Sequence, residues 1–299
     1  MDRLQAMEVF VAVVDHGGFA SAARKLDLSA PVVTRAIAEL EARLGVTLLT
    51  RTTRQVRVTE AGARYADDCR RILADVGETE SATSGSRSRV QGTLSVTAPV
   101  LFGNLHVTPI VTDYLRRYPD VDAHCVFVDR VVSLIDEGLD VAVRIGELPD
   151  STLRAVAVGR VRRMLVASPA YLAAHGSPQR PDDLAQHTLI QPTQVAPYPE
   201  WRFAEGGRPL VARIRPRLRT TTNDSARSAA QAGLGLTRLL SYQAADALGR
   251  GELVPLLQDF EPPPLPVNVV HHEGRHMTQK VRAFVDLAVE ALRANPTLR

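Results

Sequence analysis

Between Phe19 and Val58 the chain sets out two short amphipathic helices, a tight break between them and a basic alternating stretch, an order that few small folds accommodate. Phe19, Ala22, Ala23 and Leu26 recur at helical spacing, with small central residues that let a neighbouring helix approach closely. After a break at Asp27-Leu28, Ser29 stands at the N-cap of a third helix and Pro31 fits its first turn. Val33, Ile37, Leu40 and Leu44 form its core-facing stripe, and Gly45 ends it. The opposite face carries Pro31, Val32, Thr34, Arg35 and Ala38. These are short side chains around one arginine, a surface suited to a major groove about 12 Å wide. Upstream, Leu4, Met7, Phe10, Val11 and Val14 predict a first helix that stops at Gly17-Gly18.

Two short helices joined by a tight turn, the second presenting hydrogen-bonding groups, make a helix-turn-helix. Leu48 and Leu49 then lead into Thr50, Arg51, Thr52, Thr53, Arg54 and Gln55 and the alternating Val56-Arg57-Val58, which predicts a β-hairpin wing. In that hairpin Val56 and Val58 pack inward, while Arg51, Arg54 and Arg57 among threonine hydroxyls face phosphates. Thr59 caps a long fourth helix with Glu60 in its first turn. In this helix Tyr65, Cys69, Ile72 and Val76 recur as a heptad seam. Two readings stand for that seam, pairing with the same helix of a second subunit and packing on its own domain.

Ser81 to Arg89, rich in Ser, Gly, Thr and Arg, reads as a linker, and a domain boundary is expected near residue 88. Beyond it strand and helix patterns alternate. A strand over Gly92–Pro99 is followed by a helix through Ile110, Val111, Tyr114 and Leu115, a strand over Val121–Val128, a helix over Val131–Glu137 and a buried strand over Asp140–Gly146. That alternation predicts an α/β domain with mostly parallel strands, whose ligands bind at strand carboxyl ends, here Thr97 to Phe102 and Arg144 to Glu147. A second lobe is expected from Met164-Leu165-Val166-Ala167-Ser168, with strands at Trp201-Arg202-Phe203 and near Arg217 and a helix after Asn223. The chain returns at Val267–Val270 and ends in a helix carrying Val281, Phe284, Val285 and Ala288. Pro262-Pro263-Pro264 and Pro266 read as a stiff crossing between lobes.

The segment Phe19 to Gly62, with its helix pair, LE-x-x-LG, R-T-T-R and T-E-A-G in order, resembles the LysR-type transcriptional regulator family, and the likeness runs along the whole chain. The resemblance implies a winged helix-turn-helix (1–58), a linker helix and hinge (59–88), and a two-lobed α/β effector domain like the periplasmic binding proteins (89–299). Lobe I spans 89–162 and 268–299, and lobe II spans 163–267. It implies DNA contact by Ser29, Pro31, Val32, Thr34 and Arg35 and by the wing residues Arg51, Thr52 and Arg54. Its effector site comprises Pro99, Val100, Leu101, Phe102, Arg144, Gly146, Glu147, Trp201, Asn223 and Ser225, and its assembly is a homodimer or homotetramer. The implied partners are double-stranded promoter DNA, a small-molecule effector and, as a candidate, RNA polymerase. Ala30 stands where the family often has Gln, and Thr34 where Ser is usual, so the operator sequence does not carry over. Val100, Leu101 and Phe102 replace the Ser or Thr frequent at that turn, which favours an aromatic or apolar acid as effector. A helix start with Asn223 and Ser225 offers amides and hydroxyls to an anion. Arg144 adds a charge-assisted contact or instead pairs with Glu147 or a neighbouring acid.

Composition narrows the alternatives. The net charge of +3 decides nothing between a DNA binder and an enzyme, and lysine occurs only at 25 and 280. No G-x-S-x-G, Walker loop, H-E-x-x-H or G-x-G-x-x-G after a strand is found, so neither catalysis nor a cofactor is expected. Gly233-Leu234-Gly235 is better explained by close packing, and His271, His272 and His276 lack a third-ligand spacing for a metal. Cys69 and Cys125 lie too far apart in sequence to suggest a disulfide framework. They read as small apolar residues or as a redox-sensing thiol. With no long apolar run and no secretory pattern at the N-terminus, a cytoplasmic protein without membrane contact is expected.

Overall fold

The computed structural model describes residues 1–51, 56–83, 90–148, 153–192, 200–272 and 277–298. It divides into two compact units, Met1–Thr93 and Leu94–Arg299.

The first unit contains α1 (Arg3–Asp15), α2 (Phe19–Lys25), α3 (Ala30–Leu44), the paired strands β1 (Leu49–Arg51) and β2 (Val56–Val58), and α4 (Glu60–Thr83). Asp2 caps α1 by accepting from the Gln5 amide. Its face of Val9, Phe10 and Val13 meets Val33, Ile37 and Leu40 of α3 and Ala22 and Ala23 of α2 in one core. Full burial of each large member contributes about 1.5–3 kcal/mol. Gly45 ends α3 with φ +68°, the left-handed conformation that glycine adopts without strain. Two expected core residues lie outside it: Leu44 and Val58 are 39% and 37% exposed. Leu44 is the last helical residue, and Val58 belongs to a three-residue strand with a single partner. Helix α4 continues to Thr83, past the Ser81 at which the linker composition begins.

The second unit contains two mixed five-stranded sheets. The chain enters through β3 (Gly92–Ala98) and α5 (Val100–Phe102), which runs through a π-helical turn (Gly103–Val107) into α6 (Thr108–Arg117). It continues into β4 (Val121–Phe127), β5 (Val141–Ile145) and β6 (Leu153–Val161). It then crosses to β7 (Arg163–Ala167), α7 (Pro169–His175), β8 (Leu189–Pro192), the hairpin β9 (Glu200–Glu205) and β10 (Arg208–Arg213), and β11 (Leu218–Thr220). Next come α8 (Asn223–Gln231), β12 (Leu236–Leu240), α9 (Ser241–Gly249) and β13 (Val254–Leu256). It returns by β14 (Leu265–His272) to α10 (Gln279–Ala294). The sheet orders are β4-β3-β5-β14-β6 and β11-β8-β12-β7-β13, so each lobe has its own sheet and two crossings join them.

The expectation of mostly parallel strands holds for β3 with β5 and for β8 with β11 and β12. The crossing strands β14 and β7 pair antiparallel with their neighbours. A strand that comes from the other lobe enters the sheet from the opposite end, which reverses its direction. The helix expected over Val131–Glu137 is instead irregular chain followed by a turn over 134–138. Val132 and Leu134 are buried while Val131 and Ile135 are 88% and 65% exposed, a spacing of two that no helix would give. Gly235 lies against the Thr188 carbonyl, where an added Cβ would come to 2.2 Å, so packing explains this glycine.

Candidate nucleic-acid interface and effector site

The reading face is built by α3. With Val33, Ala36, Ile37 and Leu40 buried, Pro31, Val32, Arg35 and Ala38 are left exposed and Thr34 half-buried, as helical geometry requires. Ser29 occupies the N-cap position, but its hydroxyl makes no capping hydrogen bond and stays exposed. Arg35 is 82% exposed and its Nε donates to Glu39 Oε1 at 2.8 Å, one turn along the same face. That hydrogen bond lowers the Glu39 carboxyl below its ordinary range. Glu39, unremarked in the sequence reading, therefore holds the arginine in place and adds a negative charge to a face meant for DNA.

Two side chains hold the loop that leads into the wing, one from α3 and one from the start of α4. Glu41 Oε1 accepts from the amides of Leu48 (2.7 Å) and Leu49 (2.9 Å), joining the last turn of the helix to β1. Thr59 Oγ1 donates to the Thr47 carbonyl (2.9 Å) and accepts from the Gly62 amide (2.9 Å), capping α4 while holding the same loop. At Gly62 a Cβ would lie 2.1 Å from the Leu48 carbonyl oxygen, so only glycine fits there. The strands pair Leu49 with Val58, Thr50 with Arg57 and Arg51 with Val56, and Arg57 is exposed. Thr52 and Arg54, predicted wing contacts, lie outside the described residues.

The predicted seam of α4 splits in two. Cys69 is fully buried in the core of the first unit, and Tyr65 packs on that core with its ring 5.5 Å from Phe10. These two positions serve their own domain, because α1 lies along this end of α4, where Arg70 also pairs with Asp15 at 2.5 Å. Burial pushes the Cys69 thiol up, away from the reactive thiolate. Farther along, Ile72 is 36% exposed and Val76 partly exposed.

In the second unit Pro99 precedes α5, and the first-turn residues behave differently from one another. Val100 is 37% exposed, Leu101 half-buried and Phe102 fully buried. Phe102 packs edge-on against His106 (4.7 Å) and against Tyr242 of α9 (5.2 Å), so this turn touches the other lobe through aromatic rings. Burial holds the His106 imidazole below its ordinary value and raises the Tyr242 phenol. The Val100 amide already donates to Asp129 Oδ1 at 3.0 Å. The Ser225 amide likewise donates to Thr222 Oγ1 at 3.2 Å, at the start of α8 beside Asn223. Arg144 Nη2 donates to the Val132 carbonyl. Gly146 follows with φ +115° and Glu147 is exposed. Trp201 is corrected from effector contact to core: it is 3% exposed and packs with Phe203, Leu165 and Tyr171 in lobe II. It alternates inward on β9, which forms a separate hairpin with β10.

Asp129 and Tyr242 were missed because neither belongs to a motif; only the fold brings them to the α5 turn. Among the described residues no group of three metal-ligating side chains is found, and no helix is long and apolar enough to cross a membrane. His276 lies outside the described residues.

Two family models match this chain. The bacterial regulatory helix-turn-helix of the lysR family matches residues 4–63, and the LysR substrate binding domain matches 87–293. The HTH-type transcriptional repressor PA14_22550 of Pseudomonas aeruginosa is 32% identical over all of this chain and 95% of its own length. CrgA, an HTH-type transcriptional regulator of Neisseria meningitidis, is 33% identical over 97% of both chains. Its solved structure superposes with a TM-score of 0.62 at 32% identity, covering 97% of this chain and 99% of that one. The full-length Vibrio cholerae virulence activator AphB covers 97% of this chain and 99% of its own, with a TM-score of 0.61 and 28% identity. The chain therefore belongs to the LysR family and is a transcriptional regulator, with a helix-turn-helix DNA-binding domain followed by an effector-binding domain, and not an enzyme.

Proposed function

We propose that this regulator reads its operator through Pro31, Val32, Thr34 and Arg35 of α3, with Ser29 at the start of that helix, and holds phosphates with Arg51, Thr52 and Arg54 of the wing. The observation that carries this reading is the face of α3 itself, a single highly exposed arginine among small and apolar side chains on a helix fixed to the wing by Glu41. Pro31 and Val32, with Ala30 beside them, suit thymine methyls, and Arg35 suits guanine.

Dimer formation through the outer half of α4, where Ile72 and Val76 lie, sets two reading heads on neighbouring half-sites; association of two dimers gives the tetramer. The effector is a small acid with an apolar or aromatic body, in keeping with Val100 and Leu101 at the α5 turn. Its differential affinity for two arrangements of the assembly alters DNA binding. The protein works in the cytoplasm, where promoter DNA and RNA polymerase are found. Domain limits near 58 and 88 follow from the wing's last strand and the linker composition. Arg35→Ala and Arg54→Ala are expected to abolish preference for the operator over unrelated DNA without changing the circular dichroism of the protein. Retained preference in both variants rules this interface out.

A further inference from the structure

The helix starts that suit an anion are already served by the protein, the Val100 amide by Asp129 and the Ser225 amide by Thr222. A second group of charges is not. Arg163 opens β7 and Arg238 lies on β12. In their antiparallel register Arg238 faces Leu165 and Arg163 faces Leu240, so the two arginines are diagonal neighbours on one side of the sheet. That side carries the lobe II core of Leu165, Trp201 and Phe203. The Arg238 guanidinium lies over the Phe203 ring, 5.0 Å from its centre, and its Nε and Nη2 are buried with no acceptor among the described residues. The acid that acts on it is Glu261, whose Oε2 is 3.5 Å from Arg162 Nη1 and whose Oε1 is buried without a partner. Burial and the neighbouring Arg163 charge push Arg238 down to about 10, which leaves it protonated at neutral pH. Arg162 and Arg238 thus share one carboxylate, which is engaged with Arg162, while Arg163 sets a further positive charge beside Arg238. A buried cation with unfilled donors is unfavourable until an anion meets it.

We infer that Arg163 and Arg238 form the seat of a small oxyanion, the carboxylate of the effector acid, in lobe II beside the crossing strands. The planar guanidinium fork matches a carboxylate, and the half-buried Leu240, on the same side of the sheet as both arginines, gives an apolar body a surface to lie on. The inference rests on the effector-binding role of this half and adds the group that reads the acid.

The test is calorimetric titration of the full chain with sodium benzoate, inorganic phosphate and the uncharged benzamide, at an ionic strength fixed with chloride. Benzoate is expected to bind saturably and benzamide at least tenfold more weakly. Arg238→Met and Arg163→Gln are each expected to weaken benzoate about tenfold or more, the loss of a charge-assisted hydrogen bond. Phosphate bound in place of benzoate and lost in both variants also supports an oxyanion seat, with free phosphate as its source. Absence of saturable binding by both anions, or binding kept in both variants, overturns the seat. If Arg238→Met does not fold, Arg163→Gln carries the comparison alone. Operator binding by the unsubstituted chain, measured alongside, separates loss of the seat from loss of the regulator reading.

Discussion

Replacing Glu41 with alanine removes the one carboxylate oxygen that holds both the Leu48 and Leu49 amides, at 2.7 and 2.9 Å. The Leu48 and Leu49 residues are 2% and 4% exposed, so water cannot readily take over as acceptor. A hydrogen bond to a charged group contributes about 1.5–3 kcal/mol. Because these two are only part-buried and share one oxygen, about 2–4 kcal/mol for the pair is the reasonable total. At about 1.4 kcal/mol per tenfold, local opening between α3 and the wing should increase roughly thirty- to several-hundredfold. Amide hydrogen exchange at Leu48 and Leu49 reads that opening directly, and fluorescence anisotropy with operator DNA reads its consequence. Glu41→Gln keeps an acceptor oxygen without its charge and should fall between wild type and alanine. Glu39→Ala, two residues away and 52% exposed, should leave both amides protected. Exchange at Leu48 and Leu49 unchanged in Glu41→Ala would refute the view that this carboxylate fixes the wing to the reading helix.

Gly62→Ala drives a Cβ to 2.1 Å from the Leu48 carbonyl oxygen, so the start of α4 or the loop must shift. A loss of about 3 kcal/mol or more in the stability of the first unit is expected by chemical denaturation. Removing the Glu39 charge by Glu39→Gln frees Arg35 and lowers repulsion from phosphates, so nonspecific DNA affinity should rise and its salt dependence steepen; an unchanged salt slope counts against it. Acid should weaken the second unit, because His106 is held below its ordinary value of 6.5 by burial. Below that pH the unfolded chain binds a proton that the folded one refuses, and stability falls until the folded-state value is passed. His106→Gln should flatten that dependence in melting curves taken across pH 7 to 5.

The reading head was legible because its signals are local. Pro31 in a first turn, Gly45 as a stop and the spacing of Val33, Ile37 and Leu40 each act within a few residues, and the structure follows them. The seam on α4 was legible only as a period. A heptad states that one face is apolar but not what covers it, and Tyr65 and Cys69 turned to α1 in their own domain. Alternating strand and helix patterns gave the α/β architecture, yet strand direction depends on which lobe a strand arrives from, and residues near β7 and β14 carry no mark of that. Val131–Glu137 misled because two buried residues at spacing two, Val132 and Leu134, sit in a stretch too short to distinguish the periods. Trp201 was placed in the site by resemblance, whereas its alternation with Phe203 on a short hairpin directs it to the core. Asp129, Arg163 and Arg238 belong to distant strands and loops, and only the tertiary structure brings their charges to bear.

The most direct measurement is a fluorescence-anisotropy titration of the full chain against its own upstream intergenic DNA, with unrelated DNA as competitor and at two salt concentrations. Tight binding that survives the competitor, weakens steeply with salt and is lost in Arg35→Ala is the predicted result. Binding no tighter than to unrelated DNA, repeated with a selection from random sequences, would contradict it.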